Sequence, residues 1–547
     1  MLIIGGEMAE NVAVSEDKLP KRTLFGYSLG GIGRDMVYNL INAQLFTCLL
    51  LTKDLTAANM ITLSLIMIVC RIFDACNDPI MGGIIEITRT KWGKFKPWIM
   101  IGVLTNVCVV MAMFFVPLKG DAYVIFFIFA YLLWGITYTM NDISYWGMLP
   151  SLTSNVKDRD TISTFATLCS GIGAGLSVIL FPTLAYGSTA IGGNANTGST
   201  VMCVLFCAMF IGCQTMTCFV VKEKPLPPKD PNAPKPSLGR MFKVLFKNHQ
   251  LLWASLSMLC YNVGSAILTS SILSIFIFLR FGYEGFLVTL FVVISSISSG
   301  VMIFYPLLTR KFTRKQISTF SVILAAVSYS LILIIGLCWQ SNSIACFALL
   351  AISGFGAAIG QTMHYMVLTI SIENCVEYNE VMTGDRAEGS IFSLRPFMAK
   401  MGSAIVQGIV SLTFAALAIT TITQQISNVE NLATLGKITE EAKASKISDI
   451  LAGVASSVPN WLLVVMTMAP VVFLVSSLVV YLLKYKITEE KYAELLKTIE
   501  ERKAAGELPI NMETEVVMFD KEAAMEETIE AANEIDEEDF ESPLDPE

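Results

Sequence analysis

The sequence predicts an all-α polytopic membrane protein of twelve spans, arranged as two six-helix bundles. Three observations predict it. Hydrophobic residues make up 54% of the 547 and charged residues only 15%, too little charge to cover a soluble protein of this size. The apolar residues fall in runs near the twenty or so residues that a helix needs to cross a bilayer. Strongly basic loops recur after the second span of each half, as internally repeated bundles would place them.

The spans run at about 24–50, 57–85, 97–117, 122–150, 162–187 and 199–220, then at 250–278, 284–307, 317–337, 342–371, 388–419 and 459–483. Several are longer than a bilayer requires, so tilt or extension past the membrane is expected. ITRTKWGKFKP after span two, KEKPLPPKDPNAPKPSLGRMFKVLFKNH after span six and TRKFTRKQ after span eight are basic. PLKGD, AYGSTAIGGNANTGST and RFGY carry few positive charges. The positive-inside rule therefore places both termini in the cytoplasm; the membrane expected is a bacterial cytoplasmic (inner) membrane. The opening MLIIGGEMAENVAVSEDKLPKR lacks the sustained apolar core of a cleavable signal peptide.

This gives a cytoplasmic segment 1–22, a first bundle 23–221, a proline-rich cytoplasmic linker 222–249 and a second bundle 250–485. The external loop 421–458 is longer than an ordinary connection, and a short surface helix is expected in it. Residues 486–547 read as a cytoplasmic helix, ITEEKYAELLKTIEERKAAG, followed by an acidic disordered tail.

Composition removes several classes of function. The net charge of -8 sits mostly in the tail, and no basic surface suited to nucleic acid appears. The thirteen cysteines are scattered through apolar runs without a CxxC pair, so buried inert thiols are expected and a resident metal site is not. The two histidines, His249 and His364, stand in no catalytic motif, which argues against an enzyme. A channel lacks any specific support.

Charges inside spans carry the positive reading, because a charge at the bilayer centre needs a partner, a wet cavity or a ligand. In LIMIVCRIFDACNDPIMGG, Arg71, Asp74 and Asp78 share one helix face, and Pro79 weakens the local ladder. Two carboxylates one turn apart suit a small cation or a shared proton, or else form a structural ion pair with the arginine. In YTMNDISYWGMLP, Tyr138, Thr139, Asp142 and Trp146 fall at helical spacings. Thr139 and Asp142 can add oxygens to the same cation, and Trp146 can stack on a sugar ring or anchor the helix at the interface. Span one begins LFGYSLGGIGRDMVYN, where Gly26, Gly30 and Gly33 permit close packing, and Arg34 and Asp35 compete to face a cavity. Lys400 in span eleven lies at similar depth. It pairs with the first half's carboxylates during coupling, or forms a static salt bridge.

At these residues the chain, from about 22 to 485, resembles the glycoside-pentoside-hexuronide:cation symporter family within the major facilitator superfamily. The motifs are RIFDACNDPIMGG followed by TRTKWGKFKPW, then YTMNDISYWGMLP, then VEYNEVMTGDRAEGSIFS leading into Lys400. The resemblance implies a twelve-helix major facilitator fold and cation-coupled symport of a sugar or glycoside by alternating access. It implies a cation site of Asp74, Asp78, Thr139 and Asp142. It implies sugar contacts from Asp35, Asp142 and Trp146, with Tyr138 in the same run and Lys400 near both sites. Arg386 and Glu388 match a gating motif, and Arg34 and Arg71 are taken with them as coupling residues. Trp92, Gly93 and Lys94 belong to the same inner region.

There are departures. Thr167 stands where a relative has a sugar-binding arginine in span five, and Asn374 stands where many have an aspartate. A non-glycoside solute such as an organic acid or a lysophospholipid is the alternative. A hexuronide would call on Arg34, Lys400 and Arg395. No cofactor is expected beyond transported Na+ or H+, and a shell of hard oxygens with a neutral hydroxyl favours sodium. The expected partners are a small sugar, a monovalent cation and the lipid bilayer, with no nucleic acid. The protein is expected to function as a monomer.

Overall fold

The computed structural model describes residues 20–153, 156–223, 238–384, 387, 390–391 and 394–504. Among them every regular element is helical, and the one β contact is an isolated bridge between Thr90 and Gly93. The first half comprises α1 (Lys21–Ser28), α2 (Gly30–Asn39), α3 (Leu45–Thr52), α4 (Ala57–Ile87), α5 (Lys96–Phe115), α6 (Gly120–Met148), α7 (Val156–Ala185) and α8 (Ala195–Val220). The second comprises α9 (Leu238–Lys247), α10 (His249–Ile267), α11 (Ser271–Phe281), α12 (Gly285–Ser296), α13 (Tyr305–Leu308), α14 (Arg314–Cys338) and α15 (Ile344–Thr383). It continues with α16 (Leu394–Ala416), α17 (Ile419–Thr434), α18 (Glu440–Ala452), α19 (Ser457–Lys484) and α20 (Glu489–Ala504).

Ten helices among the described residues are long and apolar enough to cross a membrane. Their outward faces are apolar too: Leu65, Val69 and Ile72 on α4, Ile125, Phe129 and Leu133 on α6, and Phe320, Ile323 and Val327 on α14 are all exposed. Exposed apolar surface on that scale belongs against lipid rather than water. The protein is a multi-pass membrane protein.

The two remaining stretches, 24–50 and 284–307, are helical but broken, which corrects the expectation of continuous spans there. In the first, α2 passes into a π-helical turn at Leu40–Gln44 before α3. The side-chain amides of Asn39 and Asn42 donate to the carbonyls of Asp35 and Tyr38 where the ladder changes register. In the second, α12 gives way to a 3-10 stretch, Ile297–Phe304, over ISSGVMIF, whose serines, glycine and β-branched residues are poor helix formers.

The chain forms two compact units. One takes Met1–Ala233 with Ile277–Val292 and Phe414–Val454; the other takes Pro234–Phe276, Val293–Thr413 and Ala455–Glu547. Buried amides lace the first: Asn141 donates to Ile99 O and Gln214 Oε1, and Gln214 donates to Gly30 O. At its basic-loop end the Glu223 carboxylate accepts the backbone N–H groups of Lys94, Phe95 and Lys96, capping α5. Gly93 makes room for that carboxylate with φ +118, and Trp92 packs on Phe219. The expected short surface helix in the loop 421–458 is instead the pair α17 and α18, which carries the fully buried Ser427 and Glu430.

In the second unit the buried His364 accepts or donates between Ser318 Oγ and Ser477 Oγ, each at 2.9 Å. It ties α14, α15 and α19 together and stands in no catalytic arrangement. α20 is the expected helix after the last span. Glu489 accepts from Arg314 N at 2.7 Å, and Arg502 donates to Val381 O at 2.9 Å. Asn374 faces Arg314 in the same cluster. The acidic tail lies outside the described residues.

The cysteine expectation holds in part. Among the described cysteines none is bridged, and most are buried or half-buried, but Cys108 and Cys338 are exposed.

Candidate functional site

Close packing sets the site's backbone. A Cβ on Gly33 would lie 2.5 Å from Met209 O, and one on Gly30 would meet Thr217 and Tyr145. α2 therefore runs against α8 at backbone distance, as the glycine spacing predicts. Tyr27 and Tyr145 stack at 4.5 Å, and each hydroxyl donates to the other's carbonyl, at 2.7 and 2.9 Å. This fixes α1 against α6.

Arg34 occupies the centre. Its Nη1 donates to Asp142 Oδ1 at 2.8 Å, and its Nη2 donates to Asp35 Oδ2 at 2.7 Å. Nη2 also reaches Ser170 Oγ at 3.4 Å. The guanidinium carbon lies 4.8 Å from the Tyr145 ring centre and 4.9 Å from that of Trp146, within cation–π range. The Arg34 side chain is 4% exposed, against 16% for Asp35 and 37% for Asp142. The positive charge is thus the buried member, and the carboxylates form the open edge.

The competition between Arg34 and Asp35 expected from their adjacency does not arise, because the arginine reaches both acids. Ser170 and Tyr145 were not singled out in the sequence. A serine and a tyrosine inside apolar spans give no signal until α7 and α6 are brought to α2.

The second cluster joins α4 and α6. Thr139 Oγ1 donates to Asp78 Oδ1 at 3.2 Å, linking two of the predicted cation ligands. Asp74 is buried against Gly135, where an added Cβ would collide with its Oδ1. Arg71 is buried beside it and lies 5.5 Å over the Trp134 ring. An aromatic row continues along α6: Tyr131 to Trp134 at 5.2 Å, and Trp134 to Tyr138 at 5.7 Å. Tyr138 stacks on Tyr38 at 5.0 Å, so this predicted solute contact is largely committed to packing. Trp146 is half-buried.

Among the described residues no three of His, Cys, Asp and Glu gather as a metal ion would require. Asp142 is drawn to Arg34, on the same helix as Thr139. Lys400 lies on α16 in the second unit, half-buried. Arg395, in that unit too, donates to Tyr365 Oη at 2.9 Å and lies 3.8 Å from Glu373. Thr167 turns its hydroxyl back to Ser163 O. Arg386 and Glu388 lie outside the described residues.

Comparison with known proteins follows this geometry. The chain is 26% identical over 456 residues to a lactose permease of Leuconostoc lactis, covering 81% of this chain and 65% of that protein. It is 27% identical over 496 residues to a raffinose carrier protein of Pediococcus pentosaceus, covering 87% and 70%. It is 22% identical over 412 residues to an isoprimeverose transporter of Lactiplantibacillus pentosus, covering 74% and 82%. The chain thus spans just under two thirds of the length of the lactose permease. Among solved structures, a bacterial homologue of the human lysosomal transporter Spinster matches with a TM-score of 0.57 at 13% identity, covering 87% of this chain and 97% of that one. A nucleoside transporter matches with 0.52 at 13% identity, covering 76% and 100%. These two show the fold. A family model described as MFS/sugar transport protein matches residues 26–489, so the chain belongs to that family, as its motifs predict.

Proposed function

We propose that the protein carries a sugar or glycoside together with a monovalent cation across the cytoplasmic membrane by alternating access. In this reading both termini are inside and a single chain is the working unit. The observation that carries the reading is Arg34 bridging Asp35 and Asp142 beneath Tyr145 and Trp146. Carboxylates accept hydrogen bonds, and sugar hydroxyls are their natural donors. The arginine balances the charge that the acids would otherwise bring into a low-dielectric site. The half-buried Trp146 leaves ring surface for the apolar face of a sugar. The names of the lactose, raffinose and isoprimeverose relatives support the same solute class.

Coupling follows from α6. Thr139 bonds Asp78, and Asp142, three residues on, bonds Arg34. The two stand about 4.5 Å apart along the helix axis, so a cation drawn to Asp74, Asp78 and Thr139 alters the position of Asp142. Hard oxygens, one of them a neutral hydroxyl, favour sodium over a proton. The test is counterflow in proteoliposomes with a panel of sugars, with sodium present or replaced by choline. At least one sugar should exchange, faster with sodium. No exchange of any sugar, with exchange of an organic acid or lipid instead, would overturn the solute class.

A further inference from the structure

The long loop before α19 is the part of the chain that the solute and cation sites leave without a role, and the structure builds it as a docked hairpin. α17 and α18 sit on the start of α8. Glu430 is fully buried, and its Oε2 accepts from Ala195 N, the first amide of α8, at 2.7 Å. Its Oε1 lies 3.8 Å from Lys443 Nζ, itself only 6% exposed, and Lys443 also donates to Gly193 O. Burial raises the Glu430 carboxyl above its ordinary range, against the pull of Lys443. Around this pair, Asn196 Nδ2 donates to Asn431 Oδ1 and to Thr434 Oγ1, both at 3.1 Å. Thr434 Oγ1 donates to Asn194 Oδ1 at 3.0 Å. Further along α17, Ser427 accepts from Asp54 N.

A second contact of the same kind lies beside it. Thr183 donates to Thr289 at 2.8 Å, and Ser188 donates to Glu284 at 2.8 Å. At both places, segments from the second half of the chain are fastened to the ends of α7 and α8 opposite the basic loops. A solvated surface helix needs no buried ion pair. Removing a carboxylate and an ammonium from water is costly unless each finds a fixed partner. Here each member of the pair also bonds the start of α8, Glu430 through Ala195 N and Lys443 through Gly193 O, so the pair is fully satisfied only while the hairpin stays docked.

We propose that the α17–α18 hairpin is a latch on the outer face, with Glu430 as its catch, and that it must lift from the start of α8 each time the site opens outward. This rests on the transport reading above for its direction, outer against inner. In the closed arrangement Glu430 and Lys443 neutralise each other out of water. On lifting, the pair meets water, the Ala195 amide loses its acceptor and Gly193 O loses its donor. The rim bonds (Asn196, Asn431, Thr434) are polar and water can replace them, while the buried Ile426 and Val429 of α17 hold the closed arrangement by apolar packing.

Two measurements on the full-length protein test this. Hydrogen exchange should show the amides at 193–199 protected in the wild type and exchanging about tenfold faster in Glu430→Ala, while those of Lys94–Lys96, held by Glu223, stay unchanged. The rim variant Thr434→Val should give a smaller change confined to the same segment, and it decides the question should Glu430→Ala unfold the protein. In the second measurement, Asn196→Cys with Asn431→Cys is oxidised in membrane vesicles. Cross-linking should stop uptake, reductant should restore it, and either cysteine alone should leave uptake intact. Uptake that persists at full rate in the cross-linked protein, failure of the pair to cross-link, or unchanged exchange at 193–199 in both variants would overturn the latch. The exchange measurement needs no solute, so a protein that passes it yet moves no sugar refutes only the choice of solute.

Discussion

Arg34 and Asp35 are sequence neighbours, and a helix turns about 100° between neighbours, so position alone gives no reason for both to serve one site. The length of the arginine resolves it. The side chain crosses to Asp142 on α6 while two of its nitrogens stay on Asp35. Asp78, Thr139, Asp142 and Trp146 were legible in the sequence because charge and aromatic residues at helical spacing inside an apolar run are costly without a use. The commitment of Asp142 to Arg34 was not legible, because it depends on how α2 lies against α6. Asp142→Asn keeps the shape but removes the charge that Arg34 pairs with and that, in the proposed reading, the cation is drawn to. It should weaken solute and cation binding alike, with solute affinity falling about tenfold or more. Trp146→Ala removes ring surface only. It should weaken solute binding about three- to tenfold and leave cation affinity nearly unchanged. Separate titrations of each ligand distinguish the two variants, and a change confined to cation affinity in both would remove the solute from this site.

Helices were legible wherever a long apolar run continued, and their interruptions were not. The π turn at Leu40–Gln44 needs no special composition, and the 3-10 stretch Ile297–Phe304 lies in an apolar run like any span. Contact between helices was legible at glycines. The expectation for Gly33 holds, and Gly135 acts the same way against Asp74. Gly135→Ala drives a methyl into the Asp74 carboxylate and should lower cation affinity without unfolding the protein. Gly33→Ala meets backbone, which cannot turn aside, and should cost about 1–3 kcal/mol of stability. Gly82→Ala, where nothing beyond the local helix backbone lies within 4 Å of the new Cβ, is the control and should be close to neutral. Thermal unfolding together with cation titration separates these outcomes. Equal behaviour of all three would show that helix approach is not what these glycines provide.

For the molecule as a whole, the apolar runs and low charge were enough to identify a polytopic helical protein, and the ordered motifs to identify its family. The docked hairpin was not legible. TTITQQISNVENLATLGKITEEAKASKISDI has the composition of an ordinary surface helix, and Glu430 reveals itself only once Ala195 and Lys443 are brought to it. The end of the chain offers a further test. α20 is tied down by Glu489 and Arg502, so truncation after residue 505 should leave uptake unchanged. Truncation after residue 487 removes both contacts and should lower the melting temperature. Loss of uptake at normal membrane levels in the shorter cut would give the acidic tail a role in transport.

The claim that joins these scales is that cation and sugar bind as one thermodynamic unit, through Asp74, Asp78 and Thr139 on one side and Arg34 with its two carboxylates on the other. The direct measurement is sugar binding to purified protein at fixed pH, titrated with sodium against choline, and the reverse titration at fixed sugar. Sodium should tighten sugar binding, and sugar should tighten sodium binding by the same factor, because linkage is reciprocal. Asp74→Asn and Asp78→Asn should shrink that factor while the protein still folds and inserts. An affinity that follows pH and ignores sodium would make the proton the coupled ion. An affinity indifferent to both, with the aspartate variants still concentrating the sugar, would contradict the account.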